Sequence, residues 1–123
     1  MTTWLEHTAL QVRNLDWYIH FFKDVFEMDI RMTMGEAPHR KVWLYGGIQL
    51  NENPDFTPQE GFLDHLGLMT DDLDKALAKV YTYDVQEQRQ GRNWVALPDG
   101  IILEIIAGKA DVIHTAVSLK PWL

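Results

Sequence analysis

The sequence predicts an α+β fold made of two βαβββ modules whose curved sheets form an open cup. Three observations carry that prediction. The first is an echo: HTALQVRNLD at residues 7–16 returns as HLGLMTDDLD at 65–74, with His7 and His65, Leu10 and Leu68, Leu15 and Leu73, and Asp16 and Asp74 in register. The second is the pattern downstream of each copy. A strand-like alternation gives way to an amphipathic helical period and then to three further strand-like pieces, and an internal repeat of supersecondary units has this signature. The third is bulk: 123 residues, 46% apolar and 24% charged, make one globular domain with enough apolar surface for a core.

Taken in order, residues 5–12 (LEHTALQV) suit a strand with Leu5, His7, Ala9 and Gln11 on one face and Thr8, Leu10 and Val12 on the other. Asn14 or Asp16 can cap the following helix, 15–27, which turns Leu15, Tyr18, Ile19, Phe22, Val25 and Phe26 inward. Trp17 and Phe21 widen that stripe beyond one core contact and suit a subunit contact, while His20, Lys23, Asp24 and Glu27 form its polar side. Strand pieces follow near 29–34, 40–45 and 47–51, the last two joined at Gly46–Gly47. The proline-bearing, acidic stretch 52–62 reads as a linker. The second half repeats the order: a strand at 65–70, a helix in 71–83 with Leu73, Ala76, Leu77 and Val80 inward, and strands near 84–89, 92–97 and 101–106. Pro98-Asp99-Gly100 is a turn, since proline presets φ and glycine supplies the unusual backbone angles. The organisation is therefore a single domain over 1–123: module one at 4–51, the linker at 52–62, module two at 63–107 and a tail at 108–123.

Composition narrows the function. A formal charge of −7 with scattered Lys and Arg excludes nucleic acid and anionic membrane surfaces as natural partners. With no cysteine there is no disulfide, zinc–thiolate site or thiol nucleophile. The opening MTTWLEHTAL lacks a basic segment followed by a long apolar run, and no stretch approaches about 20 apolar residues, so the expectation is a cytoplasmic protein that spans no membrane. No Gly-rich phosphate loop, nucleophile elbow or Ser–His–Asp spacing is present.

The chemistry-bearing residues lie on strands. Glu104 stands in IILEII with Ile102 and Ile106 as same-face neighbours, and a carboxylate there needs either water or a partner. Gln49 holds the corresponding place in the first module's last strand, IQL. Two strand-borne histidines and two oxygen donors converge if the modules pack with pseudo-twofold symmetry, and such a set suits a divalent first-row metal with open positions. One histidine in a strand is usually an ordinary polar residue; two at equivalent places in a repeat are a stronger signal. His20, His39 and His114 read as helix surface, loop and tail surface. Arg31, Arg40, Arg89 and Arg92 could meet an anionic substrate, though each alone is more commonly solvated.

At these residues the sequence resembles the vicinal-oxygen-chelate superfamily of glyoxalases, bleomycin-resistance proteins, fosfomycin-resistance enzymes and extradiol dioxygenases. LEHTALQVRNLDWYIHFFKDVFEMDI resembles its first strand and helix, LDHLGLMTDDLDKAL the start of its second module, and WVALPDGIILEII its closing hairpin. The resemblance extends to about residue 107. It implies His7, Gln49, His65 and Glu104 as metal-ligand positions, a divalent ion from the group Ni, Co, Mn, Fe or Zn, a small-molecule substrate and a homodimer. It further implies a glyoxalase-like lyase or isomerase that stabilises an enediolate, with Glu104 as ligand and base. Gln49 departs from the Glu of many bacterial glyoxalase I enzymes, leaving the site one negative charge poorer. His7, His65 and Glu104 alone form the two-His-one-carboxylate set of Fe(II) dioxygenases, although no extra acid/base histidine stands on a matching strand. A third alternative is a binding protein without catalysis.

Overall fold

The computed structural model describes residues 5–58 and 63–119, and the chain divides into two compact units, one made of the residues up to Phe56 and those from Val117 on, the other of Thr57–Ala116. Residue 4 of module one, residues 59–62 of the linker and the tail residues Pro121, Trp122 and Leu123 lie outside the described residues.

The first unit runs β1 (Thr8–Val12), α1 (Leu15–Phe26), β2 (Ile30–Met34), β3 (Lys41–Leu44) and β4 (Ile48–Glu52). Its four-stranded sheet has the order β1-β4-β3-β2, with β1 parallel to β4 and the other pairs antiparallel. Asn14 rather than Asp16 caps α1, its side chain accepting from the Trp17 N–H at 3.2 Å. The helix stops where Glu27 turns left-handed at φ 57°. The Glu27 and Met28 N–H groups then close back on Lys23 and Phe22 carbonyls. The core gathers Leu10 and Val12 of β1, Val42 and Leu44 of β3, Ile48 and Leu50 of β4, and Leu15, Tyr18, Phe21 and Phe22 of α1. Phe21 corrects the expectation of a subunit contact: it is fully buried, edge-on to Phe22, because it lies one turn beyond Tyr18 on the inward face. Trp17 is half-buried and stacks on Phe21 at 5.0 Å.

The second unit repeats this plan with β5 (Leu66–Thr70), α2 (Leu73–Val80), β6 (Gln86–Gln88), β7 (Gly91–Ala96) and β8 (Ile102–Ala107). The order β5-β8-β7-β6 and the single parallel pair, β5 with β8, match the first sheet strand for strand. Asp72 caps α2 by accepting from Lys75 N–H at 3.1 Å. Ala76 and Val80 of α2 are buried, as are Val95, Leu97, Leu103 and Ile105. Pro98-Asp99-Gly100 forms the turn into β8: Gly100 N–H donates to Leu97 O at 2.9 Å and Gly100 takes φ 82°.

Two further expectations are corrected. The tail contains a helix, α3 (Ala110–Ser118), that the sequence did not announce because no residue on it is buried and no strong apolar stripe marks it. His7 and His65 are not within strands; each lies one residue before its strand, where ladder pairing begins at Thr8 and Leu66. No helix of the described residues is long and apolar enough to cross a membrane.

Candidate functional site

Alternation gives each sheet two faces of different character. In the first unit, Leu10, Val12, Val42, Leu44, Ile48 and Leu50 lie on the face that α1 packs against. The opposite face presents Ala9 and Gln11 of β1, Gln49 and Asn51 of β4, and Trp43 and Lys41 of β3 in direct register. In the second unit Leu103 and Ile105 face the core. Glu104 points the other way, across from Trp94 on β7 and beside Gly67 on β5.

The second unit brings two of the expected donors together. His65 Nε2 lies 3.6 Å from Glu104 Oε1, and both side chains are about one-third exposed, at 33% and 29%. That separation is too long for a hydrogen bond. It suits two donors sharing one ion at about 2.0–2.2 Å each. The His65 ring leans on Trp94, with centroids 4.7 Å apart at 60°. Its Nδ1 lies 2.6 Å from Asp64 Oδ2, within hydrogen-bond distance. Glu104 is therefore neither buried alone nor fully wet: Ile102 and Ile106 flank it on its own face and His65 stands at its tip.

In the first unit, Gln49 is buried to 7% exposure and its Nε2 donates to Asn51 Oδ1 at 2.7 Å, which leaves Oε1 as the atom to meet a ligand. His7 Nδ1 faces Glu6 Oε1 at 3.3 Å, and the same oxygen accepts from Arg31. Among the described residues no three His, Cys, Asp or Glu side chains form a metal-holding group.

The arginines are mostly engaged. Arg40 donates to both oxygens of Glu52, at 2.9 and 2.6 Å, and to Asp16 at 3.1 Å. Hydrogen bonding from Arg40 pulls the Glu52 carboxyl down to about 2, and the same bonds raise the guanidinium pKa. Arg92 lies 4.3 Å over the Tyr81 ring, whose hydroxyl pKa is raised by burial. Arg89 is exposed. Beside Gln49's partner Asn51 opens a cleft of about 320 Å3, lined by Gln11, His39, Arg40, Lys41, Asn51, Glu52 and Asn53. Lys41 is exposed there, and among the described residues no carboxylate pairs with it. His20 and His114 are exposed on α1 and α3, and His39 lies in the β2–β3 loop.

Several residues of this site carry no signal of their own in the sequence. Trp43 and Trp94 stand cross-strand from Gln49 and Glu104, so each unit sets a tryptophan beside its oxygen donor. The spacing from Trp to donor differs between the two repeats, which hides the equivalence. Glu6 and Asp64 each precede a site histidine, and that signal is legible in LEH and LDH.

The repeated βαβββ unit is a fold shared with solved fosfomycin resistance proteins and a glyoxalase I. Similar solved structures bear this out. The fosfomycin resistance protein FosX from Listeria monocytogenes, complexed with Mn(II) and sulfate, covers 90% of this chain and 97% of its own, with a TM-score of 0.73 at 19% identity. FosX from Mesorhizobium loti gives 94% and 99%, a TM-score of 0.69 and 18% identity. The trypanothione-dependent glyoxalase I of Leishmania major gives 97% and 96%, a TM-score of 0.66 and 20% identity. At these identities the likeness is one of fold. No protein-family model matches the sequence, and no curated protein matches it significantly.

Proposed function

We propose that this protein is a metal-dependent, glyoxalase-like lyase or isomerase acting on a small molecule with two adjacent oxygens. His7, Gln49, His65 and Glu104 would hold the ion. The observation that carries the reading is the pair His65 Nε2 and Glu104 Oε1, aimed at each other at 3.6 Å with no hydrogen bond between them. Nitrogen and oxygen donors without sulfur fit Ni, Co, Mn, Fe or Zn. In support, a protein of this fold carries Mn(II). When bound, the ion would supply positive charge to the oxygens on which negative charge develops.

The chain's own groups do the rest. Glu104, partly shielded by Ile102 and Ile106, is the carboxylate placed to take a proton at Oε1 or Oε2. Trp43 stands across from Gln49 and Trp94 across from Glu104 and against the His65 ring, so each oxygen donor has an apolar neighbour. The cleft beside Asn51 would take the polar end of the substrate, with Lys41 as the cation free to meet an anionic group. A homodimer belongs to this reading, because Met32 and Met34 expose apolar side chains on one face of the edge strand β2, with Ile30 also exposed beyond a bulge, and a second copy could cover them.

Metal analysis of purified protein, beside His65→Ala, tests the proposal. The parent should take up about one divalent ion per set of two histidines. Full retention of metal by His65→Ala would show the site to be misassigned. A second reading, an Fe(II) oxygenase on His7, His65 and Glu104, is favoured by the neutral amide at Gln49, already engaged with Asn51. It predicts activity with Fe(II) and O2 only. A binding protein without catalysis would hold its ligand equally well after chelation.

A further inference from the structure

The tripeptide Leu-acid-His occurs twice, as Leu5-Glu6-His7 and Leu63-Asp64-His65. In both places the acid's carboxylate meets Nδ1 of the histidine that follows it, at 3.3 Å for Glu6 and 2.6 Å for Asp64. Consecutive residues inside a strand point to opposite faces and could not make this contact. Both pairs sit just ahead of β1 and β5, where the alternation has not begun. The placement that removes the histidines from the strands is thus the placement that lets the acids reach them.

We infer that Asp64 and Glu6 are positioning residues that hold each imidazole with its proton on Nδ1, so that Nε2 carries the lone pair offered to an ion. A carboxylate only accepts, so the ring nitrogen within hydrogen-bond distance of one must be the donor, and the other nitrogen of a neutral imidazole, here beyond that distance from Glu104, is then the acceptor. For His65 that acceptor is the atom lying 3.6 Å from Glu104. Trp94 restricts rotation of the same ring. The two histidines are held unequally. Asp64 approaches closely and contacts His65 by itself, whereas Glu6 sits farther off and shares its oxygen with the nearly buried Arg31. The Asp64 carboxylate is 93% exposed, so water competes with it and the effect belongs at the low end of what such supporting carboxylates contribute.

The last step rests on the metal reading; the tautomer does not, and the experiment separates them. Ring-15N NMR of metal-free protein, at a pH where imidazole is neutral, should show His65 with its proton on Nδ1. In Asp64→Ala the proton should move to Nε2, the preference of a free histidine in water. Titration with Mn(II) should then show about tenfold weaker binding for Asp64→Ala, a smaller loss for Asp64→Asn, whose amide oxygen can still accept, and roughly two- to threefold for Glu6→Ala. A His65 ring protonated on Nε2 in the parent, or a tautomer indifferent to Asp64→Ala, would overturn the inference. If the parent shows the Nδ1 tautomer but binds no Mn(II), Co(II) or Ni(II), the positioning role stands and the proposed function fails.

Discussion

At the scale of single residues, the two oxygen donors are not equivalent. Glu104 carries a charge and stands at the tip of His65, whereas Gln49 is neutral, nearly buried and tied through its amide nitrogen to Asn51. Loss of a direct ligand exceeds the roughly 10–100-fold loss seen for supporting groups, so Glu104→Ala should reduce metal affinity by more than about 100-fold. Gln49→Ala should cost far less, and Gln49→Glu should tighten binding by roughly tenfold because it sets a second negative charge beside the cation. Calorimetric titration with Mn(II) or Ni(II) checks the order; equal losses for Glu104→Ala and Gln49→Ala would contradict it. A second residue-scale prediction concerns Arg40 and Glu52. The Glu52 carboxyl is held at about 2, below its ordinary 4.5, so its contribution is present above about pH 4.5 and is lost as pH falls through about 2. With Arg40 about one-third exposed, that contribution is about 1–2 kcal/mol. Glu52→Gln should therefore lower stability to urea by that amount at pH 7, while parent and variant converge near pH 2.

At the scale of elements, α1 shows how far a periodic pattern can be trusted. Its existence, its cap and most of its inward face follow from spacing: Leu15, Tyr18 and Phe22 recur at helical intervals and are buried. Spacing alone assigns Phe21 to a rim, because the stripe is wider than one contact requires. The sheet beneath is wide enough to accept it, and aromatic edge-to-face contact with Phe22 fixes it there. Phe21→Ala should cost about 3–5 kcal/mol by chemical denaturation. Trp17→Ala should cost less, since Trp17 keeps part of its surface in water. Equal costs would mean that Trp17 belongs to the core. α3 is the converse case: a helix with no buried residue leaves little trace in apolar spacing.

At the scale of the whole molecule, the repeat places one histidine and one oxygen donor in each unit, so no single unit holds the full set of four. Met32 and Met34, exposed on the edge strand β2, would suit contact with a second copy. Light scattering at tens of micromolar should find a homodimer. Mixing His7→Ala with His65→Ala, after dissociation and reassociation, should restore about a quarter of the parental metal capacity, because half of the dimers are hybrids with one intact site of two. No recovery would place each site within one chain.

The sequence alone determined the repeat, the strand–helix–strand–strand–strand order of each unit and the identity of the four candidate donors. The repeat and the element order follow from local periodicity, capping and turn chemistry, which act within a few residues, and the four donors from their matching places in the repeat and from the family resemblance. It also contained the acids at positions 6 and 64, though nothing local said that they touch the histidines after them. Only the tertiary structure decided which donors meet. The approach of His65 to Glu104, and the placing of Trp94 across from that glutamate, come from the register of β5, β8 and β7, and strands from distant parts of the chain fix that register. The fate of the arginines was settled in the same way. By sequence Arg40 is a candidate for an anionic substrate, but the pairing of β3 with β4 gives it Glu52, the first turn of α1 gives it Asp16, and the free cation of the cleft is its neighbour Lys41.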